Sequence, residues 1–346
     1  MEGNMNIKTI QFEKSNDMHT AQYMIQQALG FVYQAALRAA AELKIADHLE
    51  KEAKTVEQLA TETKTEAKIL KRILRVLASR KIFKCLDDSR FTLTPEASFL
   101  LSDHPYSLRQ AILWLTDKTF WLPSAEFAQS AHGKHMFEEI FGTTYFEYWE
   151  KNDQPDGFDE GQASLSKIEN EFIIQHYDFP KNAIIADIAG GLGNLLLTVL
   201  QRNPTLNGIL FDQEHVLAKN ILHELNDDSR WTIQAGSFFE ACPEADIYLL
   251  KYITHDWEDS KLIKIFKTIR RAMKPTSKLL ILDCIIPLDN EPHFGKELDL
   301  ICMSAFHDGG EHTEAEFKEL FLRAGLKINQ VISTNSHISI IETVPA

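Results

Sequence analysis

The chain has 346 residues, more than one average domain of about 150 residues and fewer than three. Its composition, 44% hydrophobic and 25% charged with 15 Gly and 11 Pro, excludes a collagen, a low-complexity scaffold and a chain disordered throughout. The 50 acidic residues against 36 basic ones give a net charge of −14, which repels phosphate backbones, so nucleic acid is not expected as a main partner.

The opening MEGNMNIKTIQFEKSND lacks the apolar core of a signal peptide, and no apolar run reaches the ~20 residues a bilayer requires. Cys85, Cys242, Cys284 and Cys302 are few and scattered, form no CxxC, and read as reduced core residues. The expectation is a soluble cytoplasmic protein with no membrane partner.

Residues 20 to about 105 carry helical periodicity. Ala21–Leu49 is Ala-rich, and Ile45, Ala46 and Leu49 close its apolar face. Thr55-Val-Glu-Gln58 has the form of a capping box opening a short helix over Thr55–Thr61. A second helix is expected over Glu66–Ser79, with Ile69, Leu70, Ile73, Leu74 and Leu77 on one side. Lys81–Cys85, a turn at Asp87-Asp88 and Arg90–Thr94 then predict a hairpin. Helices followed by a hairpin make a winged-helix pattern. Its last helix is locally basic, with Lys64, Lys68, Lys71, Arg72, Arg75, Arg80, Lys81 and Lys84 against Glu66 alone. That stripe is either solvated or dimer-facing, or it reads DNA; the length and acidity of the rest favour the first.

From Leu113 to Pro180 the chain is aromatic-rich and irregular, with Trp114, Phe120, Trp121, Phe137, Phe141, Tyr145, Phe146, Tyr148 and Trp149, and a turn at Pro155-Asp-Gly157. Such density suits a hinge region lining an apolar pocket, or plain core. After Pro180 the texture changes. Strand runs at Ala183–Ile188, Gly208–Phe211, Trp231–Ala235, Ile247–Lys251, Lys278–Ile285, Lys327–Val331 and His337–Glu342 alternate with helical patterns, which predicts an α/β fold with a parallel sheet covered on both faces. The expected division is 1–110, 111–180 and 181–346.

The strongest chemical signal is Ile184-Ile-Ala-Asp-Ile-Ala-Gly-Gly-Leu-Gly193, a strand ending in a glycine turn that opens a helix over Asn194–Arg202. Glycines let the backbone approach a nucleoside, and ligands sit at the carboxyl ends of such strands. Asp212 ends the next strand, where a carboxylate can take both ribose hydroxyls. Leu196 stands where a dinucleotide motif would place its third glycine, and Asp187 suits a cationic ligand better than a pyrophosphate. Together these favour S-adenosylmethionine over NAD. No Walker loop or nucleophile elbow occurs. The run His307-Asp-Gly-Gly-Glu-His312 offers metal-type ligands, but its two glycines give it no fixed geometry, and no metal is expected.

Ala186–Gly193, Phe211-Asp212, Gly236-Ser-Phe-Phe239, Lys251-Tyr-Ile-Thr-His-Asp-Trp257 and Gly310-Glu-His-Thr313 fall in the order and spacing of small-molecule O-methyltransferases. The chain resembles the family containing the caffeic acid and acetylserotonin O-methyltransferases over nearly its whole length. The resemblance implies a Rossmann-like methyltransferase domain and a helical, winged-helix-like amino-terminal dimerisation domain. It implies that Asp187, Gly190, Gly191, Gly193, Asp212, Ser237, Phe238, Phe239 and Lys251 hold S-adenosylmethionine. His255 would be the general base, flanked by Asp283 and Glu311. Phe158, Gln162, Trp257, Met303, Phe306 and His307 would line the pocket for a small aromatic acceptor, and the protein would be a homodimer.

The departures from the family pattern are Ala189 for the first glycine, Ser237 for the usual aspartate at the adenine, Asp283 for glutamate, and Gln162 for a methionine. Two other readings stand beside methyl transfer. One is a relative that uses bound S-adenosylmethionine in a rearrangement or decarboxylation; the other is a winged-helix regulator that senses it.

Overall fold

The computed structural model describes residues 16–86, 90–152, 157–306 and 309–346. The turn at Asp87-Asp88, most of the Pro155-Asp-Gly157 turn, and His307 lie outside the described residues. The chain forms two compact units that divide after Ile112.

In the first unit, α1 (Asn16–Ala28), α2 (Gly30–Glu42) and α3 (Ile45–Leu49) occupy the stretch expected as one helix. Leu29 leaves the helical region at the first junction, and Lys44 takes a left-handed backbone with φ 50° at the second. The apolar spacing continues through both breaks, so periodicity alone does not reveal them. A two-residue strand β1 (Lys54–Thr55) precedes α4 (Val56–Thr63), whose capping box forms: the Gln58 N–H donates to Thr55 Oγ1 at 3.2 Å, and the Thr55 N–H donates to Gln58 Oε1 at 2.8 Å. Next come α5 (Ala67–Ser79), β2 (Phe83–Cys85), β3 (Arg90–Leu93) and α6 (Pro95–Ser98). Leu70, Leu74 and Leu77 bury the face of α5, while Ile69 is exposed because one residue turns the helix about 100° away from that face. The hairpin strands pair antiparallel, and β1 adds a third strand beside β3.

The aromatic segment is helical rather than irregular. It contains α7 (Arg109–Leu115, within which the two units divide), α8 (Lys118–Ser124), α9 (Phe127–Ser130), α10 (Met136–Phe141), α11 (Tyr145–Asn152) and α12 (Phe158–His176). Five of these helices have eight residues or fewer, too short for the 11–18-residue window that reveals a helical period. Phe120, Phe137, Tyr145 and Trp149 form a buried aromatic cluster among them.

Beyond Pro180 lie β4 (Ile184–Ile188), α13 (Asn194–Arg202), β5 (Asn207–Asp212), α14 (Glu214–Leu217), β6 (Trp231–Ala235), β7 (Ile247–Lys251), α15 (Asp259–Ala272), β8 (Lys278–Asp283), α16 (Phe294–Ala305), α17 (Glu314–Arg323), β9 (Leu326–Ser333) and β10 (Ser339–Pro345). They build a seven-stranded sheet in the order β6-β5-β4-β7-β8-β10-β9. The sheet is mixed, not wholly parallel: β10 runs antiparallel to both β8 and β9, which a nine-residue excursion from Leu326 to Thr334 followed by a tight return permits without a crossover helix. Alternate residues of one strand serve opposite faces. Ala186 and Ile188 pack with Phe266, Phe317 and Phe321 of α15 and α17, while Ile185 packs with Leu196, Leu200 and Ile173 of α13 and α12. Among the described residues no helix is long and apolar enough to cross a membrane.

Candidate active site

The strand order reverses between β4 and β7, so a crevice opens at their carboxyl ends, where ligands of open α/β sheets bind. The glycine turn leaves β4 there. The Gly191 N–H donates to Asp212 Oδ2 at 2.9 Å, and the Gln213 N–H to Asp212 Oδ1 at 2.7 Å, which fixes the carboxylate at the end of β5. Gly193, with φ 86°, leads into α13. The Gly236 N–H donates to the Asp212 carbonyl at 3.1 Å and ties the loop after β6 to the same edge. On that loop the Phe239 N–H donates to Ser237 Oγ at 3.3 Å. Phe238 and Phe239 meet edge to face, and Trp257 packs on both, its ring centroid 5.0 Å from that of Phe239. Trp257, expected in the acceptor pocket, thus groups with the aromatics expected at the cofactor.

Asp187 is buried at the end of β4, and burial pushes its carboxyl up to about 7. Its Oδ2 has no hydrogen-bond partner. A Cβ on Gly190 would lie 2.6 Å from the Asp187 carboxyl carbon and 2.5 Å from Leu210, so only glycine leaves this cradle open. A buried carboxylate with one orphaned oxygen, beside an open backbone turn, fits a cationic nucleoside cofactor. Lys251 turns elsewhere: its Nζ donates to Ser166 Oγ at 2.8 Å and Asn170 Oδ1 at 3.1 Å and pairs with Glu169 Oε2 at 2.8 Å, all on α12.

His255 sits in a single turn, Thr254–Asp256, after β7. Its Nδ1 lies 2.8 Å from Glu311 Oε1 and 3.4 Å from Asp283 Oδ1. Thr254 donates its hydroxyl to the other Asp283 oxygen. With carboxylates on the Nδ1 side, the proton belongs on Nδ1, and Nε2 is the basic nitrogen. Asp256 Oδ1 is 3.6 Å from Nε2. Gly309 is where a glycine is needed: any Cβ there would come within 2.2 Å of the His255 carbonyl oxygen. The Gly310 N–H donates to that carbonyl at 2.9 Å, and the Glu311 N–H to Asp299 Oδ1 at 2.8 Å, which together present Glu311 to the imidazole. Tyr252 and Phe306 stack on the His255 ring, with centroids 5.4 Å and 6.2 Å away.

Burial alone pushes His255 down, but the surrounding acidic groups outweigh it and hold its proton well above the ordinary imidazole value. The Cys302 thiol is itself pushed up by burial, so it is uncharged near neutral pH; the hold comes from Asp283 and Glu311. Asp256 is pushed up to about 7 by burial.

Phe306 joins the site to the aromatic cluster: it stacks on Phe146 at 5.3 Å and meets Tyr145 at 5.4 Å, and Phe158 meets Tyr145 at 5.8 Å. Met303 is half-buried on α16, and Gln162 is exposed on α12. Four residues at this site were not singled out from sequence: Asp256, Asp299, Tyr252 and Cys302. Asp256 and Tyr252 stood in the Lys251–Trp257 run, but adjacency in sequence does not say which side chains turn inward. Asp299 and Cys302 lie a turn apart on α16 and carried no local signal.

An enzyme that binds a nucleoside cofactor at the carboxyl edge of a doubly wound sheet, with a carboxylate-held histidine beside an aromatic cluster, is the class these features define. A family model for the O-methyltransferase domain matches residues 121–327, and one for the O-methyltransferase dimerisation domain matches residues 25–103. The phenazine O-methyltransferase PhzM of Lysobacter antibioticus is 36% identical over 328 residues, covering 93% of this chain and 95% of that protein. The structure of CalO1, a methyltransferase in calicheamicin biosynthesis, in its SAH-bound form matches with a TM-score of 0.89 at 36% identity, covering 95% of this chain and 99% of that one. The mitomycin 7-O-methyltransferase MmcR matches with a TM-score of 0.81 at 28% identity over 95% and 99% of the two chains. The chain belongs to the O-methyltransferase family and is an S-adenosylmethionine-dependent O-methyltransferase.

Proposed function

We propose that this enzyme methylates a hydroxyl of a small, planar aromatic natural product, with His255 as general base, and that it works as a homodimer. The observation that carries this reading is the imidazole itself: Nδ1 is committed to Glu311 at 2.8 Å, Nε2 is the nitrogen that becomes the base once the imidazolium, whose pKa the carboxylates raise, has given up its second proton, and the ring lies stacked against Phe306 at the edge of an aromatic cluster. Flat aromatic walls select flat acceptors, and the relatives named for phenazine and mitomycin acceptors support a fused-ring class. Asp187, Gly190, Gly191, Asp212, Phe238 and Phe239 would hold S-adenosylmethionine, which supplies an electrophilic methyl group when bound. A phenol with a pKa near 10 is a poor nucleophile at neutral pH. Nε2 takes its proton, Glu311 and Asp283 stabilise the imidazolium that results, and the aromatic walls exclude water and fix the oxygen in line.

The test incubates the enzyme with methyl-labelled S-adenosylmethionine and a panel of simple and fused-ring phenols, read by mass spectrometry. On the acceptor so found, His255→Ala lowers turnover by roughly 10²–10⁴, while calorimetry gives unchanged S-adenosylmethionine affinity. A variant with near wild-type turnover would remove the base assignment.

A further inference from the structure

Cys302 projects from α16 into the base cluster, and the function just proposed does not use it. One ligand atom from each of His255, Cys302 and Glu311 lies within 4.8 Å of the others, and all three residues are buried. Glu311 gives Oε1 to His255, while Oε2 is buried with no hydrogen-bond partner. Asp283 Oδ1 stands 3.4 Å from Nδ1, next in line for a fourth position.

We propose that His255, Cys302 and Glu311 form a site for a thiophilic divalent cation of the zinc class, and that its occupancy silences the base. A tetrahedral zinc ion with bonds of about 2.0–2.3 Å keeps its ligand atoms roughly 3.3–3.7 Å apart. The cluster therefore needs to contract by about an ångström, which side-chain rotation supplies. The ligand set is matched in charge. Within the three-residue set a thiolate and a carboxylate cancel the two positive charges of the ion and the imidazole binds neutral; Asp283, if it takes the fourth position, adds one negative charge that the bound ion must offset. On binding, the thiol gives up its proton to solvent, as does the imidazole if it is charged. The orphaned Glu311 oxygen gains a partner. Nothing else is consumed.

Silencing follows whichever ring nitrogen binds. At Nε2 the ion sits where the acceptor's proton must go. At Nδ1 the ion displaces the proton to Nε2, and Nε2 becomes a donor instead of a base. Only this second half of the proposal rests on His255 being the base.

The experiment titrates the chelator-treated full-length enzyme with zinc chloride by calorimetry and with cobalt(II) chloride by absorption, beside turnover on the acceptor found above. One tight equivalent of zinc is expected, with a cobalt spectrum containing a thiolate-to-metal charge-transfer band. Zinc should stop turnover, and a chelator should restore it. Cys302→Ser and Cys302→Ala should each lose the band and bind zinc at least about tenfold more weakly, the low end of the loss from removing even an outer-shell partner. S-adenosylmethionine affinity, measured on each variant, reports that the fold survives. Absence of a tight equivalent, or a Cys302 variant that binds like the parent, overturns the site. Zinc bound through Cys302 without loss of turnover overturns the silencing, and His255→Ala, read beside it, decides separately whether the base assignment stands. A dead His255→Ala variant in an enzyme that ignores zinc leaves the base standing and the site refuted.

Discussion

At Ala189 the backbone holds φ at 54°, the left-handed region, in the middle of the turn that follows β4. A residue with a Cβ adopts that conformation at a cost of about 1–2 kcal/mol. Glycine would relieve the strain but gain about 0.4–1 kcal/mol of freedom in the unfolded chain. Ala189→Gly is therefore expected to stabilise by about 0.5–1 kcal/mol, a rise of about 1–4 °C in Tm by calorimetry; a fall would mean that the alanine methyl packs usefully. Two residues earlier, burial holds the Asp187 carboxyl near 7 in the free enzyme, so below that pH a proton must leave before a cationic cofactor can pair with it. S-adenosylmethionine affinity should weaken by about tenfold from pH 8 to pH 6, and Asp187→Asn should flatten that slope. A pH-independent affinity in the parent enzyme would show that Asp187 stays out of the contact. Parts of this candidate site are legible in the sequence. The Asp187–Gly193 run and Asp212 stand out in the sequence because turn chemistry and strand ends are local, whereas His255, Asp283 and Glu311 are pointed to by the family resemblance, and the structure brings those three side chains together. Cys302 was read as plain core, since burial and ligand geometry are set by tertiary placement.

At the level of elements, α12 is fastened to β7 through buried charge. Glu169 on α12 pairs with Lys251, accepts from the Tyr252 hydroxyl at 2.8 Å, and lies 3.0 Å from His337 Nε2. The burial of Glu169 works against its charge, but Lys251 and His337 hold its carboxyl below the usual range. Tyr252 holds a left-handed backbone with φ 53° and carries the ring that stacks on His255. Glu169→Gln strands the Lys251 ammonium, and breaking a buried pair in this way costs about 3–5 kcal/mol. A large drop in Tm is expected, and an unchanged Tm would mean that Lys251 finds water. The helix over Asn194–Arg202 lies where the sequence predicts it, because a glycine turn opens it and an Asn-Pro pair closes it. Five of the six helices of the aromatic segment are too short to show a period in the sequence, and the antiparallel direction of β10 leaves no mark on the strand's own residues.

For the whole molecule, α1, α2 and the junction between them leave Tyr23, Met24, Ile25, Leu29, Phe31 and Val32 exposed within one chain, a run of large apolar side chains of the kind that marks an interaction surface. In a chain carrying an O-methyltransferase dimerisation domain, this is the surface expected to meet a second copy. Light scattering should give about twice 39.5 kDa at micromolar concentration, and Ile25→Asp with Phe31→Asp should give monomer. A monodisperse parent monomer would refute the dimer. The sheet order has a consequence for how this protein comes into being. The strand read last among the described residues, β10, lies inside the sheet, with β8 on one side and β9 on the other. A chain emerging from the ribosome has made β4 to β9 before β10 exists, so β8 offers a bare hydrogen-bonding edge and β9 has no neighbour to join. Asp283, at the end of β8 and opposite Ser339 of β10, cannot take its final setting until then. Synthesis and assembly of the catalytic unit are thus sequential events, with β8 an open edge in the interval between them.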